Sequence, residues 1–329
     1  MLRATRQLRM KMTPKPINLI LDWDGTITMK DTMFAYGKIA DIRDARLKRE
    51  QNGSKMFEGF GKAWMDNYSK HEQAYSPKAR ERNEVAQESA WLKSLSSVES
   101  SSAERVEGSG FFTGVTYSDI SIAAKELLDN GAVALRPGWH DLFLRAQNGS
   151  HSKTISHISI LSVNWSKSFI RASLKAAATS SVPNGKLLPA LDHLTIAANE
   201  INGLHEPGGS SGRLTDANHA VIRTSFDKLH NFPSREGCLN VYVGDSATDF
   251  DCLLAADLGI CIRDDPMGSS AKTLAETVLR VGFDVQHVDK IKALQQLSPS
   301  TSNVFWAQNL HEIVSLLDRL QKQVADGQS

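Results

Sequence analysis

The chain has 329 residues, enough for about two domains with buried cores. Its 38 Lys and Arg against 37 Asp and Glu give a net charge of +1, which argues against a nucleic-acid or anionic-membrane partner. No apolar run approaches the ~20 residues of a membrane span. Three irregularly spaced cysteines are too few for a disulfide framework or a zinc site: Cys238, Cys252 and Cys261.

The first 16 residues carry five basic side chains and no acid. This pattern is typical of either a short mitochondrial presequence or a disordered basic tail. Pro14 and Pro16 would end any helix early, which favours the tail. We therefore expect a cytoplasmic protein, with a mitochondrial location as the alternative.

The first predicted strand covers residues 17–21, whose apolar run indicates burial on both faces. Asp22 and Asp24 follow at its carboxyl end, where open α/β sheets bind their ligands, and Gly25 allows a sharp turn. Counted from Asp22, positions five, six and twelve lack the residues that an EF-hand calcium loop requires. Paired acids in this place predict a metal-dependent nucleophile rather than a plain polar turn.

The next hundred residues contain no clear buried strand. Apolar spacing predicts helices over 31–47, 77–95 and 118–128, separated by a Gly-rich aromatic stretch at 56–71 and a Ser-rich segment at 94–110. The Ser-rich segment is predicted to be a loop or mobile connection. The whole region is expected to be a helical domain inserted into an α/β one.

From residue 133 onward, strands and helices alternate as in βαβ units. Strands are predicted over 155–161, 194–198, 239–243 and 259–262. Helices are predicted over 166–178, 216–229, 247–255 and 270–279. An amphipathic helix follows near the end of the sequence, with its apolar face formed by Leu310, Ile313, Val314, Leu317 and Leu320.

Two further candidate residues can serve a phosphate group. Ser162 ends a predicted strand beside a helix N-terminus, with Asn164 and Trp165 next to it, which suits a phosphoryl oxygen. An ordinary helix cap explains the same residues equally well. Lys228 lies near the end of a predicted helix and can neutralise a transferring phosphoryl group, although a solvated lysine is the default interpretation.

The last candidate segment is GDSATD, which follows the predicted strand 239–243. Asp245 is then expected to face the acids of the first strand across the sheet edge. Asp249, one helical turn further on, is placed to order metal-bound waters. Magnesium prefers oxygen ligands and keeps several waters, so few carboxylates suffice to bind it.

Together these segments resemble the haloacid dehalogenase superfamily of aspartate-nucleophile phosphohydrolases. Its four motifs match DWDGT, the Ser of ILS, a lone Lys and GDSATD, in that order. Arg213 and Arg223 are alternatives to Lys228 for the third motif. The resemblance implies a doubly wound, mostly parallel α/β sheet with an inserted helical type 1 cap. It places the catalytic core at 1–33 and 128–329, and the cap at 34–127.

The resemblance also implies roles for individual residues. Asp22 is the nucleophile that forms an aspartyl-phosphate, and Asp24 is the general acid and base, while Ser162 and Lys228 spread the developing charge. Magnesium is held by Asp22, the backbone carbonyl of Asp24, Asp245 and Asp249. The substrate is contacted by Thr26, Asn164 and Trp165. This chemistry predicts a magnesium-dependent phosphatase, with a phosphomutase or a catalytically silent binding protein of the same fold as alternatives.

Two stretches resemble one group within the superfamily, namely fungal members and the corresponding domain of plant thiamine monophosphate phosphatase. They are ILSVNWSKSFIRASL and VYVGDSATDFDCLLAADLGICI. This closer resemblance implies a small-molecule phosphate ester as substrate, with thiamine monophosphate first and a sugar or other vitamin phosphate second. Neither a nucleic-acid nor a membrane partner is expected, and the sequence predicts no oligomeric state.

Overall fold

The computed structural model describes residues 15–146, 155–181, 186–214, 221–292 and 303–326. Residues 1–14 of the basic N-terminal segment and residues 216–220 of the helix predicted over 216–229 lie outside these ranges. The prediction of helix over 221–224 is wrong, because the helix begins at Ser225. Within the described residues, we find no helix with the length and apolar character that crossing a membrane would take.

Seven strands of the described residues form one sheet, in which every pair of neighbouring strands is parallel. The strands are β1 (Ile17–Leu21), β2 (Ile155–Leu161), β3 (Thr195–Ala197), β4 (Leu239–Gly244), β5 (Leu258–Ile262), β6 (Gln286–His287) and β7 (Val304–Ala307). Their spatial order is β3-β2-β1-β4-β5-β7-β6. The strand order therefore reverses direction between β1 and β4, which is where such sheets bind ligands. The predicted doubly wound parallel fold is confirmed.

Twelve α-helices occur in the described residues. Five belong to the segment between β1 and β2 that was predicted to be helical: α1 (Ala35–Leu47), α2 (Gly53–Ala74), α3 (Val85–Ser94), α4 (Ser96–Gly108) and α5 (Tyr117–Asp129). The others are α6 (Trp139–Arg145), α7 (Lys167–Ser181), α8 (Leu188–Asp192), α9 (Ser225–His230), α10 (Phe250–Ala255), α11 (Ser269–Arg280) and α12 (Leu310–Asp326).

The prediction of a loop across the Ser-rich segment is wrong, because α4 occupies most of it. Val98, Ala103 and Val106 are buried on one side of this helix, while its serines mostly face outward or lie half-buried. Serine is only a modestly poor helix former, so a buried apolar stripe outweighs the local composition.

The inserted helices pack on the core in two separate places. Helix α5 packs on α7, and α3 packs on α9. Trp91 and Leu92 of α3 are buried in the same apolar cluster as Tyr242 of β4. Beside them, Glu88 pairs with Arg82 at 2.7 Å and with Arg280 of α11 at 2.6 Å. The insertion therefore contacts two core helices, α7, which follows β2, and α9, which precedes β4, although its extent as a separate cap over 34–127 stays a prediction.

Candidate active site

The acids of the first motif lie in a tight turn directly after β1. The backbone N–H of Asp22 donates to the Val243 carbonyl at 2.9 Å, so pairing with β4 continues past the end of the strand. Gly25 has φ +71°, and a Cβ there would lie 2.3 Å from Oδ2 of Asp245. The turn needs glycine for both reasons, and it brings the first and fourth motifs into contact.

Lys228 provides a buried positive charge between two acids. Its Nζ lies 2.8 Å from Oδ1 of Asp22 and 2.6 Å from Oδ1 of Asp249, with no exposure of the side chain. Burial by itself lowers the pKa of Lys228, but attraction to Asp22 and Asp249 outweighs it and raises that pKa above its usual value. The two alternative cations contact helix α4 instead: Arg213 reaches Glu107, and Arg223 reaches Ser100.

Asp249 is predicted to order metal-bound waters, and the structure shows both of its carboxylate oxygens in protein contacts. Oδ1 faces Lys228 and also accepts a hydrogen bond from the Tyr242 hydroxyl at 2.6 Å. Oδ2 accepts the backbone N–H groups of Asp245 and Ser246, both at 3.0 Å. Asp249 therefore fixes the loop after β4 and the position of the lysine, while its contact with a metal stays a prediction.

A divalent cation fits the charge of this cluster. Single carboxylate oxygens of Asp22, Asp245 and Asp249 lie within 4.8 Å of one another. Burial, and then repulsion from Asp249, raise the pKa of Asp22 to about 7, although Lys228 opposes the shift. Burial and the same repulsion hold the pKa of Asp245 well above its usual value. Three buried carboxylates against one lysine leave a deficit of two positive charges, and oxygen donors suit magnesium.

Thr26 was predicted to contact substrate, and the structure shows it orienting Asp245. Its side chain is buried, and its Oγ1 donates to Oδ1 of Asp245 at 2.9 Å. The Asp245 carboxylate also lies directly against the Gly25 turn, since a Cβ at Gly25 would come within 2.7 Å of both of its oxygens. Thr26 thus links the first motif to the fourth, and its contact with substrate stays a prediction.

The carboxylate of Asp24 has a separate set of partners. Oδ1 accepts the backbone N–H of Thr32 at 2.7 Å and its hydroxyl at 2.5 Å, while Oδ2 accepts Nδ2 of Asn164 at 2.9 Å. Burial, and then repulsion from Asp31, raise the pKa of Asp24 to about 6 despite these hydrogen bonds. A carboxyl group with such a pKa can both give and take a proton near neutral pH. Any metal contact through its backbone carbonyl stays a prediction.

The segment after β2 lies beside Asp24. Ser162 is fully buried, and its Oγ accepts the backbone N–H of Asn164 at 3.2 Å. Asn164 is also fully buried, with its side chain hydrogen-bonded to protein groups. Trp165 is half-buried and packs on Tyr36 and Phe57, with ring centroids 5.5 and 6.0 Å apart. Of the predicted substrate-contacting residues, Trp165 thus has the most exposed side chain.

Arg136 organises the turn after β1 and was missed by the sequence reasoning. Its Nε donates to the Thr26 carbonyl at 2.9 Å and its Nη2 to the Gly25 carbonyl at 2.7 Å. Its own backbone N–H donates to the Ile27 carbonyl at 2.7 Å, and its guanidinium pairs with Asp264 after β5. A single arginine carries no motif, although the Pro-Gly pair that follows it marks a turn.

These features define an α/β protein whose parallel sheet carries a buried site of acids and one lysine at its carboxyl edge. The chain is 29% identical over 180 residues to a CTO1 family protein of Schizosaccharomyces pombe, covering 51% of this chain and 58% of that protein. It is 26% identical over 181 residues to the bifunctional TH2 protein, mitochondrial, of Arabidopsis thaliana, covering 52% of this chain and 25% of that one. The predicted similarity to a fungal and a plant protein is confirmed. The chain spans less than two thirds of either relative.

No family model matches the chain. Solved structures align with it over most of its length. One described as a phospho-aspartyl intermediate analogue of phosphoserine phosphatase has 14% identity, a TM-score of 0.44 and coverage of 92% of this chain and 98% of its own. A phosphoserine phosphohydrolase-like protein from Francisella tularensis has 16% identity, a TM-score of 0.41 and coverage of 91% and 99%.

Proposed function

We propose that this protein is a magnesium-dependent phosphomonoesterase that acts on a small phosphorylated metabolite through an aspartyl-phosphate intermediate. The observation that carries the proposal is the arrangement of two acids at one sheet edge. Asp22 faces a buried lysine, whereas Asp24, two residues on, lies in a separate set of hydrogen bonds. One acid is thus suited to attack and the other to proton transfer.

In the first step, a carboxylate oxygen of Asp22 attacks phosphorus while the bond from phosphorus to the leaving oxygen breaks. Asp24 gives its proton to that leaving oxygen. In the second step, water attacks the phosphorus, Asp24 takes a proton from the water, and the bond to Asp22 breaks to release phosphate. Lys228 offsets negative charge at Asp22 throughout, because its Nζ lies 2.8 Å from that carboxylate.

The residues that would hold magnesium are Asp22 and Asp245, with Asp249 as the third acid of the cluster. Bound there, the cation would offset charge on the phosphoryl oxygens and keep Asp22 ionised. Thr26 would keep Asp245 in position to contact the cation, because its hydroxyl donates to Oδ1 of that carboxylate.

Helices α1 to α5 are proposed to act as the cap that selects the substrate. Trp64 and Tyr68 stack on each other at 5.3 Å, and Trp64 also donates to Glu99, so these aromatic side chains serve packing within the insertion. Tyr36 is fully buried, so its ring is covered by protein. Trp165 is only half-buried, which makes it the better candidate for stacking on a flat ring of the substrate. Thiamine monophosphate is proposed as the first substrate to test, which rests on the sequence resemblance and on the similarity to the TH2 protein.

The proposal is tested by assaying a panel of metabolite phosphates with magnesium, including thiamine monophosphate, sugar phosphates and 4-nitrophenyl phosphate. Asp22→Asn should lower kcat on the order of 10⁴-fold or more while leaving the fold intact, because an amide is not an anionic nucleophile. Asp129→Asn, which changes an exposed acid at the end of α5, is the matched control and should retain activity.

Full activity in Asp22→Asn would contradict the mechanism. If thiamine monophosphate is hydrolysed no faster than sugar phosphates, the specific substrate claim fails and the phosphatase claim stands. A silent binding protein would hydrolyse none of the panel. A phosphomutase would instead return the phosphoryl group to a second hydroxyl of the substrate, and product analysis would detect the isomer.

A further inference from the structure

Asn164 connects Asp24 to the inserted helices. Its Nδ2 donates to Oδ2 of Asp24 at 2.9 Å, and its Oδ1 accepts the hydroxyl of Tyr36 at 2.5 Å. Tyr36 belongs to α1, the first inserted helix, whereas Asn164 follows β2 of the sheet. Both side chains are fully buried. The contact therefore couples a group of the insertion to an acid of the proposed catalytic pair.

The orientation of the Asn164 amide is determined by its partners. The backbone N–H of Ser166 points at Oδ1 from 3.2 Å, and a backbone N–H is always a donor. Oδ1 must therefore be the oxygen of the amide, which leaves Nδ2, a donor, facing Asp24. The N–H donor of Asn164 therefore holds the Asp24 carboxylate in one orientation.

The hydrogen bonds of Asp24 leave one of its lone-pair positions for proton transfer. Each carboxylate oxygen offers about two acceptor positions. Thr32 fills both positions on Oδ1 with its N–H and its hydroxyl, whereas Asn164 fills one on Oδ2. Within the described residues, no other donor contacts Oδ2, so the direction of its remaining lone pair depends on Asn164.

The position of Asn164 in turn depends on Tyr36. The Tyr36 ring lies against Trp165 at 5.5 Å, Phe112 at 5.6 Å and Phe169 at 6.0 Å, which fixes the hydroxyl in place. A buried hydroxyl group is costly to leave without a hydrogen-bond partner. The hydrogen bond between Tyr36 and Asn164 therefore keeps both side chains in place.

We infer that Asn164, held by Tyr36, is a positioning residue that directs the free lone pair of Asp24 toward the leaving oxygen. The inference rests on the proposed function. It differs from the predicted role of Asn164 in contacting substrate, because its polar side-chain atoms contact protein. The proton on Oδ2 of Asp24 moves to the leaving oxygen as the phosphorus–oxygen bond breaks. Misplacing Oδ2 should then matter most when the leaving group needs that proton.

The test compares two esters, 4-nitrophenyl phosphate, whose leaving group is stable as an anion, and 2-glycerol phosphate, whose alkoxide must be protonated. Asn164→Ala should lower kcat for the glycerol ester on the order of 10²-fold, within the usual range for losing proton transfer, and lower it far less for the nitrophenyl ester. Tyr36→Phe should shift the ratio of the two kcat values in the same direction by a smaller factor. It also serves as the second variant if Asn164→Ala fails to fold.

Asn199→Ala is the matched control. Asn199 is another buried amide that binds the same loop, donating to the carbonyls of Val163 and Asn164, and it makes no hydrogen bond to Asp24. A general loosening of the loop should therefore slow both esters by similar factors in this variant. An unchanged ratio in both Asn164→Ala and Tyr36→Phe, or an equal shift in Asn199→Ala, would overturn the inference while the phosphatase proposal stands. A wild type that hydrolyses neither these two esters nor any other member of the metabolite panel overturns both proposals.

Discussion

Replacing Lys228 with Met should expose how much the fold depends on charge balance at the site. The lysine has no solvent exposure and contacts Asp22 at 2.8 Å and Asp249 at 2.6 Å. Removing one partner of a buried ion pair costs about 3–5 kcal/mol, because it leaves an uncompensated buried charge. We therefore expect the metal-free variant to lose about that much free energy of unfolding at pH 8.

The loss should depend on pH. Lys228 lowers the pKa of Asp22, so removing it raises that pKa further above the present value of about 7. A carboxyl group whose pKa is raised by folding stabilises the folded state below its unfolded pKa, and this contribution is lost as pH rises through the folded pKa. At pH 5 the carboxyl groups of the variant can bind protons in place of the lysine charge, so the loss of free energy of unfolding should be small. This loss should grow between pH 5 and pH 8.

Urea unfolding in EDTA at pH 5 and pH 8 measures both quantities. Lys93→Met is the matched control, since Lys93 is exposed and its Nζ lies 3.9 Å from the Phe226 ring on the same helix as Lys228. Losing the contact between Lys93 and the Phe226 ring should lower the free energy of unfolding by about 0.5–1 kcal/mol at either pH. A deficit for Lys228→Met below about 1 kcal/mol at pH 8, or one of equal size at both pH values, would refute the electrostatic account.

Two further predictions concern the turn and the metal. Gly25→Ala should cost about 1–3 kcal/mol in urea unfolding and most of the activity, because φ is +71° and the new Cβ would lie 2.3 Å from Asp245. Gly61→Ala in α2 is the control, because a Cβ there would meet open space, and it should leave activity intact. Equal losses of activity and stability in the two variants would contradict the reasoning. Magnesium at 100 times its Kd should stabilise the wild type by about 2.7 kcal/mol, measured by thermal melting. Equal stabilisation of Asp245→Asn would exclude this site.

Much of the fold and the main acids could be predicted because their signals are local. The apolar run of β1 is fully buried, and the two acids directly after it lie at the carboxyl edge as predicted. Alternation of strands and helices likewise identified the parallel sheet. In each case the relevant pattern lies within a few consecutive residues, so no knowledge of the partner segment is needed.

The contacts that were missed join residues far apart in the chain. Tyr36 and Asn164 are 128 positions apart, and Arg136 binds carbonyls of a turn more than 100 residues earlier. Side-chain donors that bind backbone carbonyls leave no spacing pattern. The pairing of Lys228 with Asp249 was hidden for a similar reason, since each residue alone suggests a more ordinary role.

The inserted helices show why a predicted cap need not move as an independent lid. Trp91 is 3% exposed, packs on Tyr75 at 4.9 Å and shares a buried cluster with Tyr242 of the sheet. Trp91→Ala should therefore lower the global free energy of unfolding by about 3–5 kcal/mol in a single urea transition. Trp64→Ala, which changes a half-buried tryptophan packed within the insertion, should cost about 1–2 kcal/mol. If Trp91→Ala costs no more than Trp64→Ala, or separates unfolding into two transitions, then α3 belongs to a mobile lid and not to the core.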